Sequence, residues 1–316
     1  MNALVHPHTN LNKHVIGFLP YWRMDDIKYV RPEMLSEINY FGLHVGSDGN
    51  LLKVTNGETD PGWLQWDSET MKDFITKTHI YGTEVSVTII SQNNDVTESL
   101  LTSPTSQTTL ISQIVSLTKE HNLDSINIDF EYQGEAEEEY KNNFTAFAKL
   151  LHEELQKETP KTKISLSIMP RAARSNDLFD FPKIVPYFDR FIGMSYDYYG
   201  TSADVSGPGA PMIGFKENKF FFDIETTYED FLRVIPKEKI IMGVPYYGWD
   251  RAVIDGSTVM SKTYQPSDDR NYAAVTSYGR LRDEVDFKPN KCTWDDYAQS
   301  SWCRYTKDDV EHQVWI

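Results

Sequence analysis

The chain of 316 residues carries 47 acidic against 31 basic side chains, for a formal net charge of −16. That balance offers no basic stripe to a nucleic acid and would repel a polyanionic substrate, whereas a neutral polysaccharide is indifferent to it, and the 13% aromatic content suits stacking on sugar rings. Acidity that serves only solubility explains the charge equally well, and no stretch reaches the roughly 18 apolar residues of a membrane span.

Residues 1–13 read as an N-terminal extension. Met1–Asn12 is polar and lacks the apolar core of a secretory signal, so the chain is either cytoplasmic or one from which a signal or upstream domain was removed. Apolar runs rich in β-branched residues then follow at His14–Trp22, Ile38–Val45 and Glu84–Ile90, with Trp63 and Trp66 around a polar loop and an amphipathic stretch at Ser68–His79. A second amphipathic stretch, Ser106–His121, precedes the run Ser125–Glu131. Glu135–Glu158 places Tyr140, Phe144, Phe147, Leu150, Leu151 and Leu155 at helical spacing. Runs at Lys163–Pro170, Arg190–Tyr198 and Lys239–Gly248 complete the set, with the long loop Tyr199–Ile224 and the helical stretch Thr226–Ile235 between the last two. Long ordered loops of this kind are often functional.

Strand alternating with helix implies parallel strands joined by crossovers. Strands apolar on nearly every residue imply cover on both faces. An open doubly wound sheet and a closed barrel both fit, and the lack of a glycine-rich loop after the first strand disfavours dinucleotide binding. Residues of about 250–313 have turn residues and aromatics but weak periodicity, and read as a small insertion on the rim after strand seven. Cys292 and Cys303 are either one local disulfide or two thiols. His44, His79, His121, His152 and His312 lack metal-ligand spacing, so neither metal nor cofactor is expected.

The segment Asp124–Tyr132 carries the chemistry. Side chains alternate along a strand, so Ser125, Asn127, Asp129 and Glu131 share one face and Ile126, Ile128 and Phe130 the other. If the apolar face packs on helices, the polar face points into the barrel, and an interior carboxylate is costly unless paired. Two acids ending a strand sit where barrel active sites lie. The competing reading is a half-exposed strand with solvated acids, which the wholly apolar opposite face disfavours.

These residues resemble the Asp-x-x-Asp-x-Asp-x-Glu signature of glycoside hydrolase family 18, matched by Asp124, Asp129 and Glu131, with Asn127 where many members carry Asp. That departure is known among members acting on bacterial cell walls. His14–Trp22 looks like the family's first strand, Met194-Ser195-Tyr196-Asp197 its strand-six motif, Gly243–Trp249 its strand seven, and Ser301–Ile316 the region before its last helices and strand. The resemblance implies a (β/α)8 TIM barrel over residues 14–316, here without the last strand and helices. A C-terminally truncated chain is therefore expected.

It also implies hydrolysis of β-1,4 bonds in N-acetylglucosamine polysaccharides, chitin or chitooligosaccharides, by a retaining, substrate-assisted mechanism. Glu131 would be the proton donor, kept uncharged by an apolar surround and an anionic Asp129. Asp129 would orient the acetamido group, Tyr196 would bond its oxygen, and Asp197 and Asn127 would complete the network. Tyr21, Trp22, Tyr132, Tyr198, Tyr247 and Trp249 would form stacking subsites, with core or rim packing as the alternative for each. Met194 is placed beside the site by the motif, although Met169, Met194 and Met242 also read as core filling, and Tyr246 fits either role. A peptidoglycan N-acetylglucosaminidase and a non-catalytic sugar-binding barrel are the alternatives. The expected partner is an oligo- or polysaccharide, bound by a monomer that is secreted or in the cell envelope, with the cytoplasm left open.

Overall fold

The computed structural model describes residues 11–175, 177–213, 222–284, 286–288 and 292–316. Most of the expected N-terminal extension, residues 214–221 of the long loop, and four positions of the expected insertion lie outside the described residues. The chain divides into two compact units, Met1–Ile192 with Val234–Ile241, and Gly193–Arg233 with Met242–Ile316.

The first unit runs β1 (Ile16–Pro20), β2 (Glu37–His44), a short hairpin of β3 (Val54–Thr55) and β4 (Glu58–Thr59), α1 (Pro61–Trp66), α2 (Glu69–Ile80) and β5 (Glu84–Ser91). Then come α3 (Asn94–Thr102), α4 (Pro104–His121), β6 (Ser125–Phe130), α5 (Glu138–Glu158), β7 (Lys163–Ile168), α6 (Phe181–Ile184) and β8 (Arg190–Gly193). After α7 (Ile224–Val234), which lies in the second unit up to Arg233, the chain returns as β9 (Ile240–Met242). These strands form one sheet in the order β1-β2-β5-β6-β7-β8-β9, parallel from β1 through β7. This is the (β/α)8-barrel fold lacking its last strand, as the resemblance implied.

The helices start where the sequence supplies oxygen caps. Ser68 accepts from the Met71 N–H, Asn93 from Val96 and Ser103 from Ser106, each satisfying a first-turn donor. α4 ends at Asn122 in the left-handed region, a conformation asparagine tolerates. The outer face of β6 packs on α5 as the alternation required, with Phe130 stacked on Phe147 at 5.8 Å and edge-on to Phe144 at 6.2 Å. The inner face is not a layer of bulky apolar side chains. Asn39, Ser86, Thr88, Asn127 and Ser165 are all at most 1% exposed and hydrogen-bond across four neighbouring strands.

The N-terminal ends of the strands are tied by charge. Glu37, 1% exposed and first in β2, takes hydrogen bonds from His14 at 3.0 Å and from Arg190, first in β8. Glu84, first in β5, pairs with Lys163 at 2.5 Å and with Arg190 at 3.5 Å. The Glu37 carboxyl is held below its ordinary range: burial opposes this, but the His14 and Ser86 hydrogen bonds and the Arg190 charge outweigh it. Removing one member of a buried pair strands its partner. Glu37→Gln should therefore cost about 3–5 kcal/mol, measured as the loss of unfolding free energy in urea.

The second unit holds what the sequence left as weakly periodic. β10 (Gly248–Val253), β11 (Ala273–Thr276), α8 (Tyr278–Asp283), β12 (Cys292–Asp295), β13 (Ser300–Lys307) and β14 (Val310–Trp315) follow one another. The five strands form an antiparallel sheet in the order β11-β10-β14-β13-β12. The run Lys239–Gly248 is thus not one strand: β9 stops at Met242, and Gly248 opens β10 of the other sheet. Likewise β8 ends at Gly193, so Met194–Tyr198 lies outside the strand. Leu281, Phe287, Cys303, Tyr305 and Val314 form the core of this sheet, with Cys292 against it. Cys292 and Cys303 are directly opposite on β12 and β13 and are disulfide-bonded, which settles that alternative. The bridge closes a short loop, and the chain-entropy relation gives it about 3 kcal/mol. Cys303→Ser should lower the thermal midpoint of the second unit by that equivalent, followed by calorimetry with and without reductant.

Candidate active site

β6 delivers the two acids. Asp129 is its fifth residue and 1% exposed; Glu131 follows the last one and is half-buried. The backbone N–H of Glu131 still donates to the Ser91 carbonyl at 2.9 Å, so the β5–β6 ladder holds the acid in register. Its Oε1 accepts from Gln92 Nε2 at 2.7 Å.

Asp129 is the anomaly. Both carboxyl oxygens are buried without a hydrogen-bond partner among the described residues. Burial, and secondarily the negative charge of Glu131, push this carboxyl up to about 8. The sequence expectation is an anionic Asp129 that keeps Glu131 uncharged; in the structure burial drives the Asp129 carboxyl itself toward the neutral form.

Stability should follow. The folded state holds a proton on Asp129 that the unfolded chain releases near its ordinary value of 3.8, so stability falls as pH rises from about 4 to about 8. Asp129→Asn removes that penalty. Relative to wild type it should gain about 1 kcal/mol or more on going from pH 5 to pH 8, read from denaturant unfolding at both values.

Asn127 does not join the acids. Its amide donates to Thr88 Oγ1 at 3.2 Å and Ser167 Oγ at 2.9 Å and accepts from Ser165 Oγ at 3.0 Å. With both donors used and no exposure, it ties β5, β6 and β7 together beneath the acids. Asp124, at the other end of the motif, accepts from the Val85 N–H at 2.9 Å and pairs with His79 at 3.0 Å, fixing the start of β6 against β5. Tyr132 is 6% exposed, and its hydroxyl donates to Glu98 of α3 at 2.5 Å, so it packs rather than forming a stacking face. Tyr21 and Trp22 lie edge to face at 4.8 Å after β1, and Trp22 is 60% exposed, leaving an open ring. Trp66 is core, against Tyr40 and His121; Trp63 carries the Lys53 ammonium 4.3 Å from its ring.

Within the second unit the strand-six and strand-seven motifs form their own cluster. Asp197 accepts from Tyr247 Oη at 2.9 Å on each oxygen and from Trp249 Nε1 at 3.0 Å. Its backbone is left-handed (φ 60°), a conformation that turns its carboxylate onto these donors at some conformational cost. Burial and the Asp197 charge hold the Tyr247 phenol well above its ordinary range. Tyr196 lies with its ring 6.2 Å from that of Tyr247. Trp249 is buried, as is much of Tyr198, whose hydroxyl bonds Thr227 Oγ1 at 2.6 Å, so both are packing elements. Met194 is half-buried, while Met242, expected as core filling, is exposed, as is Tyr246.

One metal-like group exists among the described residues: atoms of His14, Glu37 and Glu84 lie within 4.8 Å of one another. Arg190 and Lys163 already neutralise those carboxylates, at the strand ends opposite Glu131. No helix among the described residues is long and apolar enough to cross a membrane. The residues missed from sequence are Gln92, Asn94 and Glu98; the polar run directly after β5 was their only signal.

With the geometry in place, the sequence profile described as Glycosyl hydrolases family 18 matches residues 14–316. Among curated relatives, a probable endochitinase of Caenorhabditis elegans is 24% identical over 278 residues, which are 80% of this chain and 44% of that protein. The chain thus spans less than half of that relative. The solved Group IV chitinase of Ostrinia furnacalis superposes with a TM-score of 0.76 at 17% identity, covering 95% of this chain and 85% of that one. The spore cortex-lytic enzyme SleL of Bacillus cereus gives 0.69 at 18% identity, over 96% and 64%.

Proposed function

The chain belongs to glycosyl hydrolases family 18, and from that premise we propose that it hydrolyses β-1,4 bonds of N-acetylglucosamine polysaccharides of the chitin type. The observation that carries this reading is the pair on β6: a buried, unpartnered Asp129 carboxyl two residues before a half-buried, oriented Glu131 at the strand's C-terminal end. In the proposed reaction Glu131 gives its proton to the leaving glycosidic oxygen as the bond to the anomeric carbon breaks. The substrate's own 2-acetamido oxygen forms the new bond to that carbon, giving an oxazolinium ion. The attacker is already tethered, so the protein needs no nucleophile. Asp129 offers a buried carboxyl oxygen to accept the acetamido N–H, and Glu131, now a carboxylate, is left as the base for the second step. Water then opens the ring, returning a proton to Glu131 and retaining configuration.

A second reading, peptidoglycan N-acetylglucosaminidase, is favoured by Asn127 and by the likeness to a spore cortex-lytic enzyme. Export to the cell envelope fits both substrates, and the Cys292–Cys303 bridge supports it, since disulfides persist in oxidising compartments. Wild type should release chromophore from a chitobioside. Glu131→Gln should retain oligosaccharide binding by calorimetry while kcat falls about 100-fold or more. Release of reducing ends from purified cell wall, with no turnover of chitobioside, would move the assignment to the second substrate. Binding without turnover on either would replace the enzyme by a sugar-binding barrel.

A further inference from the structure

The loop after β5 does more than connect. Because the Glu131 N–H continues the ladder to the Ser91 carbonyl, the next residue, Gln92, comes alongside the acid and donates Nε2–H to its Oε1 at 2.7 Å. The loop is anchored on both sides of that contact. Ser91 Oγ and Thr97 Oγ1 share a buried hydrogen bond of 2.7 Å. Asn94 clamps the segment following Glu131 at two points: its Nδ2 donates to the Gln133 carbonyl at 2.8 Å and its Oδ1 accepts from the Gln133 N–H at 2.9 Å. Asn93 caps α3 between them. An isolated surface amide would sample many rotamers. This one is carried on a loop pinned to the same strand end that carries the acid.

Resting on the glycosidase reading, we propose that Gln92 is a positioning residue for Glu131, holding Oε1 and leaving Oε2 as the oxygen that carries and delivers the proton. A carboxyl oxygen that accepts an amide N–H is the poorer site for a proton, so the hydrogen is directed to the other. The amide is neutral and adds no charge to a strand end whose titratable neighbour is Asp129. An N–H donor to a carboxylate also favours the charged form, so the contact works toward release of the proton.

The test uses Gln92→Leu, which keeps the side-chain bulk and removes the donor, and Asn94→Ala, which frees the clamp. Two readouts are taken: the pH profile of kcat/KM on a chromogenic chitobioside, and the 13C titration of the Glu131 carboxyl, assigned by comparison with Glu131→Gln. In Gln92→Leu the Glu131 titration and the alkaline limb should both move upward by about 0.5 pH unit. In the same variant kcat should fall about 10-fold with KM little changed. Asn94→Ala should move both readouts in the same direction by less. A Glu131 titration identical to wild type in Gln92→Leu overturns the proposal, as does an unshifted limb. The titration needs no turnover, so an inactive wild type would overturn the glycosidase reading while the carboxyl shift still decides for or against the Gln92 contact.

Discussion

Burying a carboxyl without a donor is among the least favourable things a fold can do, and Asp129 is held that way at the centre of its sheet. The desolvation cost is carried by the rest of the first unit, because β6 is locked on both flanks and cannot turn the side chain out. Its consequence is a proton kept on Asp129 near neutral pH in the absence of substrate. The same cost makes an incoming N–H donor or positive charge worth more there than in water.

The interior beneath the pair is built to bear it. Small polar side chains of β2, β5, β6 and β7 satisfy one another through Asn127, so the layer is rigid without being apolar. At the far end of the strands, the network of Glu37, Glu84, Lys163 and Arg190 joins four strand starts, with His14 just before β1, in the opposite charge regime: both acids of this network have a cation. One end of the barrel has compensated charge and the other does not. That asymmetry separates stability from chemistry along the strand axis, as barrel enzymes do generally.

The second unit solves a different problem. Its antiparallel sheet has a small core, and the bridge between Cys292 and Cys303 adds a cross-strand tie at the sheet's edge strand. Asp197 shows the same economy as Gln92 on a different element: a short loop residue in an uncommon backbone conformation gathers Tyr247 and Trp249 onto one carboxylate.

The sequence by itself determined the parallel strands, the shared strand face of Asp129 and Glu131, the helices α2, α4, α5 and α7 and the family, because period-two and period-3.6 patterns are local and the strand-four motif is contiguous, while the shorter helices α1, α3, α6 and α8 left no such pattern. It could not determine the antiparallel sheet, whose strands run from wholly buried β10 to largely exposed β12 and are separated by turns that mask alternation. Nor could it show how fully Asp129 is desolvated, or that Asn127 spends both of its donors on Thr88 and Ser167, contacts made between residues about 40 positions apart. Charge placement was legible, but desolvation was not, since burial is set by neighbours that only the folded chain brings together.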